Sequence, residues 1–291
     1  MFHGSMVALI TPMHANGSVD FNSLSELIEW HISNQTDALV ILGTTGESAT
    51  INFAERGQVL TETVKNVRGR LPIIAGTGSN STAETIRLTQ HAMEMGVDAC
   101  LLVTPYYNKP TQAGLYQHYC AVAKAVAIPQ ILYNVPSRTG CDLLPETVGL
   151  LTEVTNIIGL KEATGDISRV RKILDLCDEK IDLYSGDDAT SLDFLLAGGK
   201  GVISVTANVT PQLMHDMCKA ALSGNEDEAF LLQQRLMPLH TKLFVESNPI
   251  PVKWVLHEMG KIEEGIRLPL TPLSNSNHQN LRTALQQAGV V

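Results

Sequence analysis

Short apolar runs recur along the chain at intervals of roughly 25–30 residues, the spacing of successive βα units. They read MVALI, ALVIL, LPIIAG, ACLLV, PQILYN, NIIGLK, IDLYSG and GVISV. None alternates with polar residues, which is the pattern of parallel strands covered on both faces. The segments between them carry the helical period instead. In DFNSLSELIEWHI, Leu24, Leu27, Ile28 and Ile32 fall on one stripe. Ser81 and Glu84 stand at capping-box spacing, and Gly96 follows as a C-terminal stop. Eight strands, each followed by a helix, predict a (β/α)8 TIM barrel. The rival, a doubly wound open sheet, wants a nucleotide-type glycine loop after the first strand, and SMVALITP has none. Beyond SVTANV the strand signal stops. The chain from Pro211 onward reads as helix, with Val252, Val255, Leu256 and Met259 on one face. The expected organisation is a barrel over residues 1–210 and a C-terminal helical subdomain over residues 211–291, with no flexible linker between them.

Composition narrows the function. Of 291 residues, 44% are hydrophobic and 18% charged, enough for a large core. The formal net charge of -9 argues against nucleic acid as a partner, because phosphate binding needs clustered Lys and Arg. An anionic substrate would have to be held by a few local cations and backbone N–H groups. The five cysteines are odd in number and form no C-x-x-C, so free thiols in a reducing cytosol are expected. MFHGSMVALITP lacks the pattern of a signal peptide, and no apolar run is long enough to span a bilayer. A cytoplasmic protein without a membrane partner is the expectation.

In a barrel of this kind, reacting groups lie at the carboxyl ends of the strands. Those ends read GTTGES, GTGSN, TPYYNKP, YNVPSRTG, KEATGD, SGDD and VTANV from the second strand to the eighth. They are dense in hydroxyls and hold no cluster with metal-ligand spacing, so neither a metal nor another cofactor is expected. No His falls at these ends, which makes His a poor general base. Lys161 closes an apolar run, and simple alternation puts Ile157, Gly159 and Lys161 on one face, with Gly159 leaving room beneath the lysine. A lysine there either snorkels, pairs with a neighbouring acid, or loses its charge and becomes a carbonyl-capturing amine. Gly43–Glu47 is a glycine-flanked turn whose N–H groups suit a carboxylate or phosphate, or a plain connection. Tyr133 could relay a proton or simply pack at the barrel mouth, and Arg138 could fork onto a carboxylate or sit in a surface ion pair. Tyr106 and Tyr107 are adjacent, so at most one faces a shared pocket.

GTTGES, TPYYNKP, YNVPSRTG and GLKEATG, in this order, resemble the family of pyruvate-dependent class I aldolases that includes dihydrodipicolinate synthases and N-acetylneuraminate lyase. The likeness runs from GSMVALITPM to IPVKW and LPLTPL. It implies the same barrel with a helical C-terminal region, and condensation of pyruvate with L-aspartate 4-semialdehyde in the diaminopimelate route to lysine. By resemblance, Lys161 forms a Schiff base with pyruvate, and Tyr133, Thr44 and Tyr107 make a proton relay, Tyr107 reaching into a neighbouring subunit. Thr44 and Thr45 hold the pyruvate carboxylate, Arg138 binds the semialdehyde, and Gly186 and the Ile203 carbonyl line the pyruvate pocket. A homo-oligomer is implied, a tetramer built as a dimer of dimers. Sialic acid lyases match at Tyr133 and Lys161 but lack the Arg of this loop, which disfavours a sugar-acid lyase. The intact Lys161, Tyr133 and Thr44 set disfavours a non-catalytic pyruvate-binding regulator. The resemblance also implies an allosteric lysine site at Ser48, Ala49, Asn80, Glu84 and Tyr106. Phe53 and Arg56 stand there in place of two histidines of the sensitive type, so weak inhibition by lysine is expected.

Overall fold

The computed structural model of the chain describes residues 2–290. Eight strands alternate with helices in the order β1 (Gly4–Ala8), α1 (Phe21–Ser33), β2 (Ala38–Ile41), α2 (Phe53–Val67), β3 (Ile73–Gly76), α3 (Thr82–Glu94), β4 (Ala99–Val103) and α4 (Gln112–Ala125). There follow β5 (Gln130–Asn134), a short α5 (Pro136–Thr139), α6 (Pro145–Leu151), β6 (Ile157–Glu162), α7 (Ser168–Cys177), β7 (Asp182–Ser185), α8 (Ser191–Leu196) and β8 (Gly201–Ser204). All strands are parallel, and β1 pairs with both β2 and β8, so the sheet closes into the expected TIM barrel. The first strand lies two residues earlier than its apolar run suggests, because Leu9 and Ile10 already bury themselves in the turn beyond it.

Two apolar layers hold the barrel. Met6, Ala8, Val40, Ile74, Leu101, Ile131, Tyr133, Tyr184 and Ile203 fill its interior, while the outward faces of the same strands pack under the helices. This two-sided burial is why the strand runs show no polar alternation. The helices start where their caps predict, with one exchange. Asn52 and Glu55 form the reciprocal capping box, at α2. At α3 only half forms: Ser81 Oγ accepts from Glu84 N at 3.3 Å, but the Glu84 carboxylate turns to Arg87.

Strand β6 departs from simple alternation. Gln130 pairs with Ile157 and Ile131 with Gly159, so β6 carries an extra residue at Ile158. Ile157 consequently points to the outer layer and Ile158 packs against the interior, and only Gly159 and Lys161 keep the face predicted for them.

After β8 come α9 (Pro211–Leu222), α10 (Glu226–Lys242), α11 (Ile250–Glu258) and α12 (Asn275–Ala288). Helix α9 packs on β1 and α8, as the eighth helix of the barrel does, while α10 packs on α9 and α12. The 210/211 division expected from sequence falls at the start of α9. Among the described residues no helix is long and apolar enough to cross a membrane.

Candidate functional site

A cavity of about 220 Å³ opens at the carboxyl ends of the strands. Lys161 forms part of its wall together with Thr44, Thr45, Tyr133, Arg138, Gly186, Asp187, Val205 and Asn248. The lysine is 6% exposed and so does not snorkel. It makes no ion pair among the described residues: the next acid along its strand, Glu162, faces Arg169 and Asn134 on the other side of the sheet. Its Nζ stands 4.4 Å from the centre of the Tyr133 ring, a residue directly across the β5–β6 ladder. Burial pushes the Lys161 ammonium down to about 8, with Asp188 pulling the other way and Arg138 adding to the depression. Neither snorkelling nor ion pairing accounts for Lys161 among the described residues.

Two glycines make room. A Cβ on Gly186 would come within 2.8 Å of Lys161 Cε and 2.6 Å of Ala163 Cβ, so the lysine stem occupies the space that any other residue would fill. A Cβ on Gly159 would meet Tyr184 Cε2 at 2.7 Å. The room above Gly159 is therefore taken by the Tyr184 ring from β7, and is not open space beneath the lysine.

The Gly43–Glu47 turn stands opposite. Among the described residues neither Thr44 N–H nor Thr45 N–H has an acceptor, and Gly43 has open space at its Cα. Free amides and two hydroxyls beside a buried amine suit a small carboxylate. The turn is braced from beneath. Glu47 adopts φ 55° and is 4% exposed, and Lys253 Nζ on α11 donates to its carboxylate at 2.5 Å. Arg267 N donates to its other oxygen at 3.2 Å. Asn248 Nδ2 donates to Thr45 Oγ1 at 2.9 Å, which fixes the direction of that hydroxyl.

Tyr133 is buried, which raises its phenol above the usual range, while Arg138 and the Thr44 hydroxyl pull it back. It is therefore a protonated donor at neutral pH, beside the amine. Arg138, on the short α5 after β5, lines the cavity mouth and donates to the Asn248 carbonyl at 3.4 Å. Most of its guanidinium is left open for an anion.

Two sequence-predicted residues, Tyr107 and Asn80, line neither cavity. Tyr107 is 88% exposed with φ 75° and lines neither the cavity nor its neighbouring cleft, so it serves no site within its own chain. The Ile203 side chain is buried in the barrel interior and Val205, two residues on, lines the cavity; the pocket role implied for Ile203 concerns its carbonyl. Asn80 does not reach the adjoining cleft of about 630 Å³, although Ser48, Ala49, Phe53, Arg56, Glu84 and Tyr106 line it. Asn248, Lys253 and Asp188 were missed from sequence. Asn248 stands two residues before the IPVKW segment and Lys253 lies within it, where the apolar helical stripe is the dominant signal.

His14, Asp20 and Glu263 bring ligand atoms within 4.8 Å of one another, but Asp20 is spent on capping α1 and the group is apart from the cavity.

The profile of the Dihydrodipicolinate synthetase family matches residues 1–288. A 4-hydroxy-tetrahydrodipicolinate synthase of Thioalkalivibrio sulfidiphilus is 61% identical over 290 residues, covering 100% of this chain and 99% of that protein. The crystal structure of a chloride-inhibited dihydrodipicolinate synthase from Acinetobacter baumannii, complexed with pyruvate, superposes with a TM-score of 0.99 at 52% identity and covers 100% of both chains. A structure described as the first monomeric dihydrodipicolinate synthase variant gives 0.97 at 41% identity, covering 100% of this chain and 98% of that one.

Proposed function

The chain belongs to the dihydrodipicolinate synthetase family, and from that premise we propose how its residues carry out the 4-hydroxy-tetrahydrodipicolinate synthase reaction, a lyase-type condensation of pyruvate with L-aspartate 4-semialdehyde in lysine biosynthesis. The observation that carries the reading is the buried, unpaired Lys161 amine, lowered to about 8, facing a turn with two free amides.

Pyruvate enters with its carboxylate on the Thr44 and Thr45 N–H groups and hydroxyls. The neutral Lys161 amine attacks the ketone carbon, and the carbinolamine loses water to give a cationic iminium. That cation is an electron sink, so the methyl group gives up a proton and an enamine forms. Tyr133, with Thr44 beside it, passes protons to and from these oxygen and carbon centres. The enamine carbon attacks the aldehyde of the semialdehyde, whose own amine then closes on the iminium carbon and expels Lys161. Because the attacking species is the free amine, kcat/KM for pyruvate falls as pH drops below about 8.

Arg138 holds the carboxylate of the second substrate. Arg138→Ala leaves adduct formation with pyruvate intact and weakens use of the semialdehyde by roughly 1.5–3 kcal/mol or more, about ten- to a hundredfold in kcat/KM. Steady-state kinetics varying each substrate separately check this. Loss of pyruvate capture with semialdehyde use retained would mean the roles are exchanged.

The assembly is a homo-tetramer, a dimer of dimers, in this reading. The exposed Tyr107, held out from its own chain, supports completion of a partner's proton relay. The solved monomeric variant shows that this fold also exists unassembled, so sedimentation at assay concentration is the test, and a fully active monomer would remove Tyr107 from the relay. Five free cysteines support a cytoplasmic setting.

Lysine inhibits this chain weakly or not at all. Arg56 lines the cleft with its guanidinium pinned, Nη1 donating to the Gly76 carbonyl at 3.0 Å and Nη2 to the Ser48 carbonyl at 3.1 Å. It therefore does not swing to solvent. Glu84, the acid that would receive a cationic ligand, is already in a fork with Arg87 at 2.7 and 2.8 Å. An ammonium ~4 Å from Arg56 costs about 4 kcal/mol at an effective dielectric of ~20. Inhibition assays with Arg56→His, which regains part of the response, check the assignment. Strong inhibition of the native protein would show that Arg56 does not set the affinity.

A further inference from the structure

One buried carboxylate beside the cavity-lining segments has no part in the chemistry above. Asp188 is 3% exposed and lies behind the cavity wall. Its chain neighbours Gly186 and Asp187 line that wall on one side, and Val205 lines it on the other. Asp188 Oδ2 accepts from Val205 N and Thr206 N, both at 3.0 Å, and lies 3.2 Å from Thr206 Oγ1. Its Oδ1 is buried with no partner at all. The backbone beneath it is pinned as well, since Ser191 Oγ and Gln233 Nε2 both donate to the Asp188 carbonyl.

A buried carboxylate oxygen left bare costs free energy unless a cation nearby compensates it. The hydroxyl of Thr206 does not fill the gap. Gln233 Nε2 donates to the carbonyls of Asp188 and Ala189, which turns Gln233 Oε1 toward His240 Nε2 at 3.4 Å. That orientation wants the His240 proton on Nε2, so Nδ1 is an acceptor and takes the single Thr206 proton at 2.8 Å. Asp188 is then served by two backbone N–H groups.

We propose that Asp188 is a positioning residue of the reaction, a fixed anion behind the Gly186–Val205 wall that stabilises the cationic iminium on Lys161. It rests on the Schiff-base reading. Asp188 is the acid whose charge favours the protonated form of Lys161, against burial and Arg138. Asp187, although it lines the cavity, turns its Oδ2 to Thr190 N and Oγ1. The iminium formed on pyruvate capture stays cationic at pH values where the free amine is neutral, and it offers the unpartnered Oδ1 a lasting counter-charge. The other groups around Asp188 do not titrate in the same range. Burial holds the His240 imidazole below its usual value, against the pull of Asp188 and Asp187, and burial pushes the Cys218 thiol up.

The test compares the native protein with Asp188→Asn and, as a packing control, Thr206→Val. Pyruvate and borohydride are applied to each, and kcat/KM for pyruvate is followed against pH. Native protein that traps no pyruvate on Lys161 overturns the Schiff-base reading and this proposal with it. With native trapping present, Asp188→Asn should move the acid limb down by about one pH unit, because an anion that favoured the ammonium is gone. It should also trap less pyruvate at equal concentration. Thr206→Val should leave the limb in place. An Asp188→Asn limb and trapping yield equal to native would overturn the proposal. Should Asp188→Asn not fold, carbon-13 aspartate labelling of the native protein reads the same coupling. The Asp188 carboxyl signal should shift when pyruvate binds, and a signal that stays put would overturn the proposal.

Discussion

Lys253→Met should destabilise the fold by about 3–5 kcal/mol, the cost of leaving one half of a buried ion pair without its partner. Glu47 and Lys253 are each 4% exposed, and their 2.5 Å contact joins the substrate turn after β2 to helix α11. Burial holds the Lys253 ammonium below its usual range, with the Glu47 charge pulling it back up. Without the ammonium, the buried Glu47 carboxylate retains only the Arg267 N–H as a hydrogen-bond donor among the described residues. The consequence reaches the site, because Glu47 closes the turn that carries Thr44 and Thr45. KM for pyruvate should rise in the variant even at temperatures where it remains folded. Denaturant unfolding of the two single variants and of Lys253→Met with Glu47→Leu completes a double-mutant cycle. The double variant should recover most of the loss, since an apolar pair of similar volume removes the desolvation cost. A Lys253→Met protein as stable as the native one would show that the pair braces nothing.

Tyr133→Phe should lower kcat by about a hundred- to ten-thousandfold, the range for removal of a positioned general acid–base. The substitution keeps the ring that Lys161 Nζ approaches at 4.4 Å and removes only the hydroxyl. Stability and the cation–ring contact should therefore change little, while steps that move protons slow. The Lys161 adduct should still form, more slowly, because capture needs the amine itself. Rapid-quench trapping separates the two: slow adduct formation with retained final yield is expected. A variant with native kcat would take Tyr133 out of the relay.

The barrel was legible because its strands are buried on both faces, which leaves unbroken apolar runs that helices do not produce. Lys161, Thr44, Thr45, Tyr133 and Arg138 were legible because they cluster at strand ends in motifs of four to eight residues. What failed had particular causes. The face of Ile157 was misread because the extra residue at Ile158 is a bulge, and a one-residue shift reverses the side on which a side chain falls. Asn248 and Lys253 act on Thr45 and Glu47 from 203 and 206 residues away in sequence, a distance at which no local pattern carries information. The bare oxygen of Asp188 is a property of what surrounds it, and SGDD reads in sequence as a polar strand end.

The central claim is that Lys161 is the amine that captures pyruvate, and one measurement bears on it most directly. The protein is incubated with pyruvate, reduced with borohydride, digested and weighed by mass spectrometry, at pH values on both sides of about 8. The account predicts a reduced three-carbon adduct on Lys161 alone, trapped faster above that pH than below it. An adduct on any other lysine, or intact protein with no adduct, would contradict it.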